Sequence, residues 1–152
     1  MAVELAAIED VYRRRYGQFR RVAFALVGDR ERAHDAVQEA FARAIRSRAE
    51  IESLEAWLWR TVANACADAR RDAARTLPPH APAAGVDAAD WAELHAAIAA
   101  LPERQRLVLF LRHYADLDYE TIAAATGVER GTVAATLHAA HARLRDAIEE
   151  VA

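Results

Sequence analysis

Residues 118–145 read DYETIAAATGVERGTVAATLHAAHARLR. Apolar positions return every three or four residues on both sides of Gly127 and Val128, which predicts two helices joined by a tight turn. Ile122 and Ala123 fall on the first helix; Val133, Leu137, Ala140 and Leu144 stripe the second. That is a helix-turn-helix, a motif whose second helix lies in the major groove of DNA. The side opposite Val133, Leu137 and Leu144 carries Ala135, His138, Ala139 and Ala142. Base readout there normally uses Arg, Asn or Gln, at about 1–3 kcal/mol per bidentate pair, whereas alanine offers only contact with a thymine methyl group.

The chain has 152 residues, room for one ordinary domain or two small ones. Hydrophobic residues make up 54%, much of it alanine, and Gly and Pro together number nine. Alanine is the strongest helix former and strand-favouring runs are absent, so the expected fold is all-α. All 20 basic residues are Arg, a bias that fits a GC-rich genome better than a site. Net charge is −3, unevenly spread. Residues 1–75 carry 14 Arg against 12 acids, a net of +2; residues 76–152 carry 6 against 11, a net of −5. The helix-turn-helix thus sits in the acidic half, where phosphate binding by counterion release is poorly supported. Cys66 is the only cysteine and falls at helical spacing from Val62, as a small packing residue would. A single cysteine forms no internal disulfide, which suits a reducing cytoplasm. No apolar run approaches the roughly 20 residues of a membrane span, and the amphipathic start does not read as a signal peptide.

Leu5, Ile8, Tyr12, Phe19, Val22 and Leu26 mark one face of a first helix, with Gly28 placed to end it and Asp29 to cap the next. A second helix is expected over 31–46, with Ala33, Val37, Phe41 and Ile45 inward. A polar loop follows, then Ser53 as N-cap of a long helix from 54 to about 75. Residues 76–88, TLPPHAPAAGVDA, hold three prolines and a glycine and read as a semi-stiff linker. Beyond it, Trp91, Leu94, Ile98 and Leu101 mark a further helix. Pro102 opens the next, continued by Leu107, Leu111 and Tyr114. The expected architecture is two small helical domains, 1–75 and 90–152, joined by a proline-rich linker at 76–89, with the helix-turn-helix in the second.

On the long helix, the buried face is expected to be Leu54, Leu58, Thr61, Ala65 and Ala69. Trp57, Arg60, Asn64 and Arg71 form a stripe beside it, while Trp59 points away. Spacing leaves two readings of the stripe. One is a nucleic-acid strand, with a ring to stack a base, guanidiniums for phosphates and an amide for a base edge. The other is a solvated face with Trp57 tucked into the core. The second helix exposes Asp35, Gln38, Glu39 and Arg43, which suits either solvent or a docked protein. His138 and His141 stand at i, i+3, but no carboxylate or Cys lies nearby to complete a ligand set, so no metal or other cofactor is expected. Neither a phosphate loop nor a nucleophile–base grouping is present, and catalysis is not expected.

Three stretches carry a resemblance: 26–44, LVGDRERAHDAVQEAFARA; 56–71, AWLWRTVANACADARR; and 101–133, LPERQRLVLFLRHYADLDYETIAAATGVERGTV. In this order, split by a linker, they resemble the small extracytoplasmic-function sigma factors of bacterial RNA polymerase. The resemblance implies that Asp35, Gln38 and Glu39 dock on core RNA polymerase. It implies that Trp57, Arg60, Asn64, Arg70 and Arg71, with the loop before them, open and read the downstream (−10) promoter element. The second domain would read the upstream (−35) element. Family members commonly carry Lys or Arg at positions matching Ala134, Thr136 and Ala139. Here the remaining candidates are Arg130 and Thr132 at the helix start, then Thr136, His138, Arg143 and Arg145. Implied partners are core polymerase, promoter DNA and an anti-sigma factor, in the cytoplasm and without membrane insertion. Two other readings remain open: a stand-alone helix-turn-helix regulator, and a degenerate sigma factor acting mainly as a protein-interaction module.

Overall fold

Alternating apolar and polar positions at helical period, with Gly28, Asp29 and Gly127 as punctuation, produce seven helices among the described residues of the computed structural model. Those residues are 4–47, 51–72 and 88–151. Most of the proline-rich stretch therefore lies outside them, as does the side chain of Trp91. The helices are α1 (Leu5–Val27), α2 (Arg30–Arg46), α3 (Leu54–Asp72), α4 (Ala88–Ala99), α5 (Glu103–His113), α6 (Tyr119–Thr126) and α7 (Arg130–Val151). Helices α1–α3 pack on one another; α4, α5 and α6 each pack on α7.

The α1–α2 corner is local chemistry. Gly28 adopts φ 78°, a left-handed conformation that costs glycine little, and its N–H closes on Phe24 O at 2.7 Å. Asp29 then accepts from Glu31 N at 2.8 Å and Arg32 N at 3.1 Å, satisfying two of the unpaired N–H groups at the start of α2. Ser53 caps α3 in the same way, its Oγ accepting from Ala56 N at 3.4 Å.

Phe19 is the centre of the first core. It stacks on Trp59 at 3.9 Å between ring centroids and meets the edge of Phe41 at 5.5 Å. Ile8, Val22, Leu26, Ala33, Val37, Leu58 and Val62 close around this trio. Burying each large apolar side chain contributes about 1.5–3 kcal/mol.

Three inward assignments need correction. Leu5 is 64% exposed and Ile45 58% exposed. At about 1.5 Å per residue, α1 is some 9 Å longer than its antiparallel neighbour α2, so its first turn overhangs. Ile45 likewise lies in the last turn of α2. On α3 the deepest line is Ala56, Trp59, Val62 and Cys66, with Leu58, whereas Leu54, Thr61, Ala65 and Ala69 are only half-buried. The shift arises because α3 packs on α1, α2 and α6 at once, which draws Trp59 to the centre.

Cys66 is buried and unpaired, and desolvation pushes its thiol up to about 12. Since the thiolate is the reacting form, a disulfide reagent at pH 8 should label Cys66 only at the rate of unfolding. Labelling as fast as a free thiol in the native protein would refute this placement.

In the second half, Ile122, Val133, Leu137 and Ala140 are buried and Leu144 is half-buried, as the helix-turn-helix pattern requires. Tyr114 sits at the C-cap of α5, 39% exposed. Arg106 is buried and donates to Ala99 O (3.0 Å) and Leu101 O (3.4 Å), fastening the end of α4 to α5. The main apolar core runs unbroken from α1–α3 through Val108, Leu111, Ile122, Val133 and Leu137.

Candidate nucleic-acid interface

Helix α3 positions the stripe, and the two tryptophans divide as helical geometry demands. Trp59 is in the core; Trp57 is half-buried at the edge of a cleft of about 770 Å³ between α3 and the α6–α7 turn. Arg60 and Asn64 are exposed on the same side. Asn64 lines a second cleft of about 390 Å³, beside Arg104, Leu107 and Ala125. Arg60 lies between the two clefts and lines both.

Its guanidinium is engaged. Arg60 donates from Nε to Ala125 O at 3.1 Å and from a terminal nitrogen to Ala124 O at 2.9 Å. These carbonyls lie in the last turn of α6, where intrahelical partners run out and the dipole is negative. Gly127 (φ 75°) ends that helix, and a Cβ there would stand 3.3 Å from the Arg60 guanidinium. Arg70, half-buried, also faces the second half. Burial holds it below the ordinary guanidinium range, and the charge of Glu103 opposes that. Arg71 pairs with Asp68 on its own helix.

The face of α2 that the resemblance assigns to polymerase is ordered by local pairs. Asp35 and Glu39 are exposed and Gln38 is half-buried. Gln38 Nε2 donates to the hydroxyls of Tyr12 and Tyr16, each at 3.4 Å, and Tyr16 OH meets His34 Nδ1 at 3.1 Å. Glu39 accepts from Arg43 and Arg46, each at 3.1 Å, and these bonds lower its carboxyl below the usual range.

On α7, Arg130, Thr132, His138 and Arg143 are exposed, and Thr136 is half-buried. Thr136 donates its hydroxyl proton to Thr132 O at 2.7 Å, so that proton is committed to the helix itself. Arg112 and Arg130 stand 5.7 and 5.9 Å from the centre of the Tyr119 ring, a cationic spot beside the recognition-helix start. Asp118 caps α6 by accepting from Thr121 N at 2.8 Å. Hydrogen bonding with the Thr121 side chain, and then with its N–H, holds the Asp118 carboxyl below the usual range. His141 meets His113 Nε2-to-Nε2 at 3.0 Å, and no metal-competent group of three ligands is found among the described residues. Sequence patterning missed Gln18, whose amide donates to Ala115 O at 3.0 Å, and Glu103; neither carries a local signal, because each acts across the fold.

A helix-turn-helix unit following an all-helical unit is an arrangement suited to DNA binding, and comparison with known proteins identifies the family. The family description Sigma-70 region 2 matches residues 11–76, and Sigma-70 region 4 matches residues 91–144. The RNA polymerase sigma-E factor of Streptomyces coelicolor is 36% identical over 155 residues, covering 94% of this chain and 86% of that protein. Its counterpart in Streptomyces antibioticus is 32% identical, covering 96% and 87%. Among solved structures, the sigma factor RpoE from Bartonella quintana, in complex with the anti-sigma factor NepR, superposes with a TM-score of 0.72 at 22% identity, covering 95% of this chain and 98% of that one. CnrH, in complex with the cytosolic domain of CnrY, superposes at 0.75 and 19% identity, covering 98% and 92%. The chain belongs to the sigma-70 family, in its extracytoplasmic-function group: it is an RNA polymerase sigma factor that directs promoter recognition and transcription initiation.

Proposed function

We propose a division of labour between residues 1–75 and residues 90–152, with 76–89 as the connection. Asp35, Gln38 and Glu39 dock on core polymerase. Trp57, Arg60, Asn64, Arg70 and Arg71 open the downstream element and hold the freed strand. Arg130, Thr132, Thr136, His138 and Arg143 contact the upstream element. The observation that carries this reading is the common side of Trp57, Arg60 and Asn64 beside open clefts on α3. An indole edge can stack an unpaired base, and the guanidiniums can offset phosphate charge. The chain supplies no catalysis of its own; bond formation belongs to the polymerase. It works in the cytoplasm, and among the described residues no helix is long and apolar enough to cross a membrane. Because the sigma factor RpoE is in complex with the anti-sigma factor NepR, an anti-sigma partner is proposed here too.

Run-off transcription with purified core polymerase tests the whole reading. A product from the cognate promoter is expected; no product from any template would overturn it. Upstream recognition should be tolerant and T-favouring, because Ala134 and Ala135 on α7 are exposed and carry no hydrogen-bonding group beyond the backbone. Selection from randomised promoters checks this, and a strict G-containing upstream consensus would refute it.

A further inference from the structure

Two imidazoles that none of the promoter or polymerase contacts above uses meet across the second half. Helix α5 ends at His113, one turn beyond Leu109, and His141 follows Ala140 on α7. Leu109, Ala140 and Leu101 pack as a buried cluster that holds the two backbones side by side. His113 Nε2 then lies 3.0 Å from His141 Nε2, with the ring planes tilted by 51°. We propose that this pair is a binding site for a divalent first-row transition metal, a clip between α5 and the recognition helix α7.

The separation of the two nitrogens favours that chemistry. Nitrogens 3.0 Å apart, each about 2.0–2.1 Å from one shared ion, subtend about 95° at it. That is the cis angle of square-planar or octahedral coordination, the geometry of Ni²⁺ and Cu²⁺, whereas tetrahedral Zn²⁺ would hold them about 3.3 Å apart. Both rings are exposed, so turning them to aim two lone pairs at one ion displaces no core contact. The proton now shared between the Nε2 atoms moves through solvent to Nδ1 of the ring that carries it. Two neutral imidazoles thus bind the ion with no net release of protons. Burial, then the charges of His141 and Arg112, holds His113 below the ordinary histidine range and so favours its neutral ring. Arg112 itself is engaged by Leu117 O at 3.0 Å and Asp116 at 3.8 Å. The carbonyl end of α5 adds a negative dipole beside His113. No third side chain joins the pair among the described residues, so solvent supplies the other ligands. With half the protein ligands of a structural zinc site, the expected Kd is roughly 1–200 µM.

The test uses the full chain without an affinity tag or chelating buffer. Adding about 1 mM Ni²⁺ should raise the melting temperature by roughly 2–16 °C, and Mg²⁺ should not. Calorimetric titration with Ni²⁺ should show one site. His113→Ala and His141→Ala should each weaken that titration by about 50-fold or more. His138→Ala should leave it intact, which separates the cross-helix pair from His138 and His141 on α7. Melts without metal confirm that each variant folds; one that does not is replaced by the matching Gln variant. A Ni²⁺ response that survives loss of either His113 or His141 overturns the site. So does the absence of any saturable response to Ni²⁺, Cu²⁺ or Zn²⁺, or an equal response to Mg²⁺.

Discussion

Trp57→Ala is expected to reduce promoter opening by about 5- to 150-fold while leaving affinity for core polymerase within about twofold. The range is the base–aromatic stacking contribution of roughly 1–3 kcal/mol expressed as an equilibrium ratio. Trp57 is half-buried, lining a cleft on one side and packing against the edge of the core on the other, so its truncation empties less of the core than truncation of the fully buried Trp59. The residues proposed to dock on polymerase, Asp35, Gln38 and Glu39, lie on α2, where Tyr12 and Tyr16 order Gln38 and Arg43 and Arg46 order Glu39. Asn64→Ala should act in the same direction with a smaller loss, since one exposed amide contributes about 1 kcal/mol. Permanganate reactivity of unpaired thymines measures opening, and competition for labelled core measures assembly. Equal loss in both assays would remove the case for the ridge.

Trp59→Ala, two positions along the same helix, should instead destabilise the fold. Its ring is buried and stacked on Phe19 at 3.9 Å, so truncation leaves a large cavity at the point where α1, α2 and α3 meet. Large-to-small changes of this kind cost about 3–5 kcal/mol. That is a substantial share of the roughly 5–15 kcal/mol that holds a domain folded. At about 2–4 °C per kcal/mol, the melting temperature should fall by roughly 6–20 °C. Thermal melts followed by circular dichroism decide it. A Trp59→Ala melt no lower than that of Trp57→Ala would mean the two indoles had been given the wrong roles.

The contrast between these tryptophans shows what the residue pattern could and could not reveal. Helical period separated them onto different sides of α3, and it placed Ile122, Val133 and Leu137 correctly inside the helix-turn-helix, because those contacts are made within a few turns. The caps at Asp29 and Gly28 were legible for the same reason: each bond spans four residues or fewer. Period alone chose a buried line on α3 through Thr61 and Ala65, one that would suit a helix with a single neighbour. The actual line is set by three neighbours. Leu5 and Ile45 carried the right polarity for the interior, yet the unequal lengths of α1 and α2 left Leu5 beyond its partner. The engagement of Arg60 by Ala124 and Ala125 spans more than sixty positions, and no local spacing announces it.

Arg60 grips neutral carbonyl oxygens rather than carboxylates, and this makes ionic strength an arbiter between them and the nucleic-acid strand proposed for it. Mobile ions screen attraction to a phosphate backbone steeply but scarcely weaken a short bond to a peptide dipole. A concentrated electrolyte therefore favours the intramolecular grip over the nucleic acid. Dilution tips the same guanidinium towards the strand, with no change in the protein's own charge.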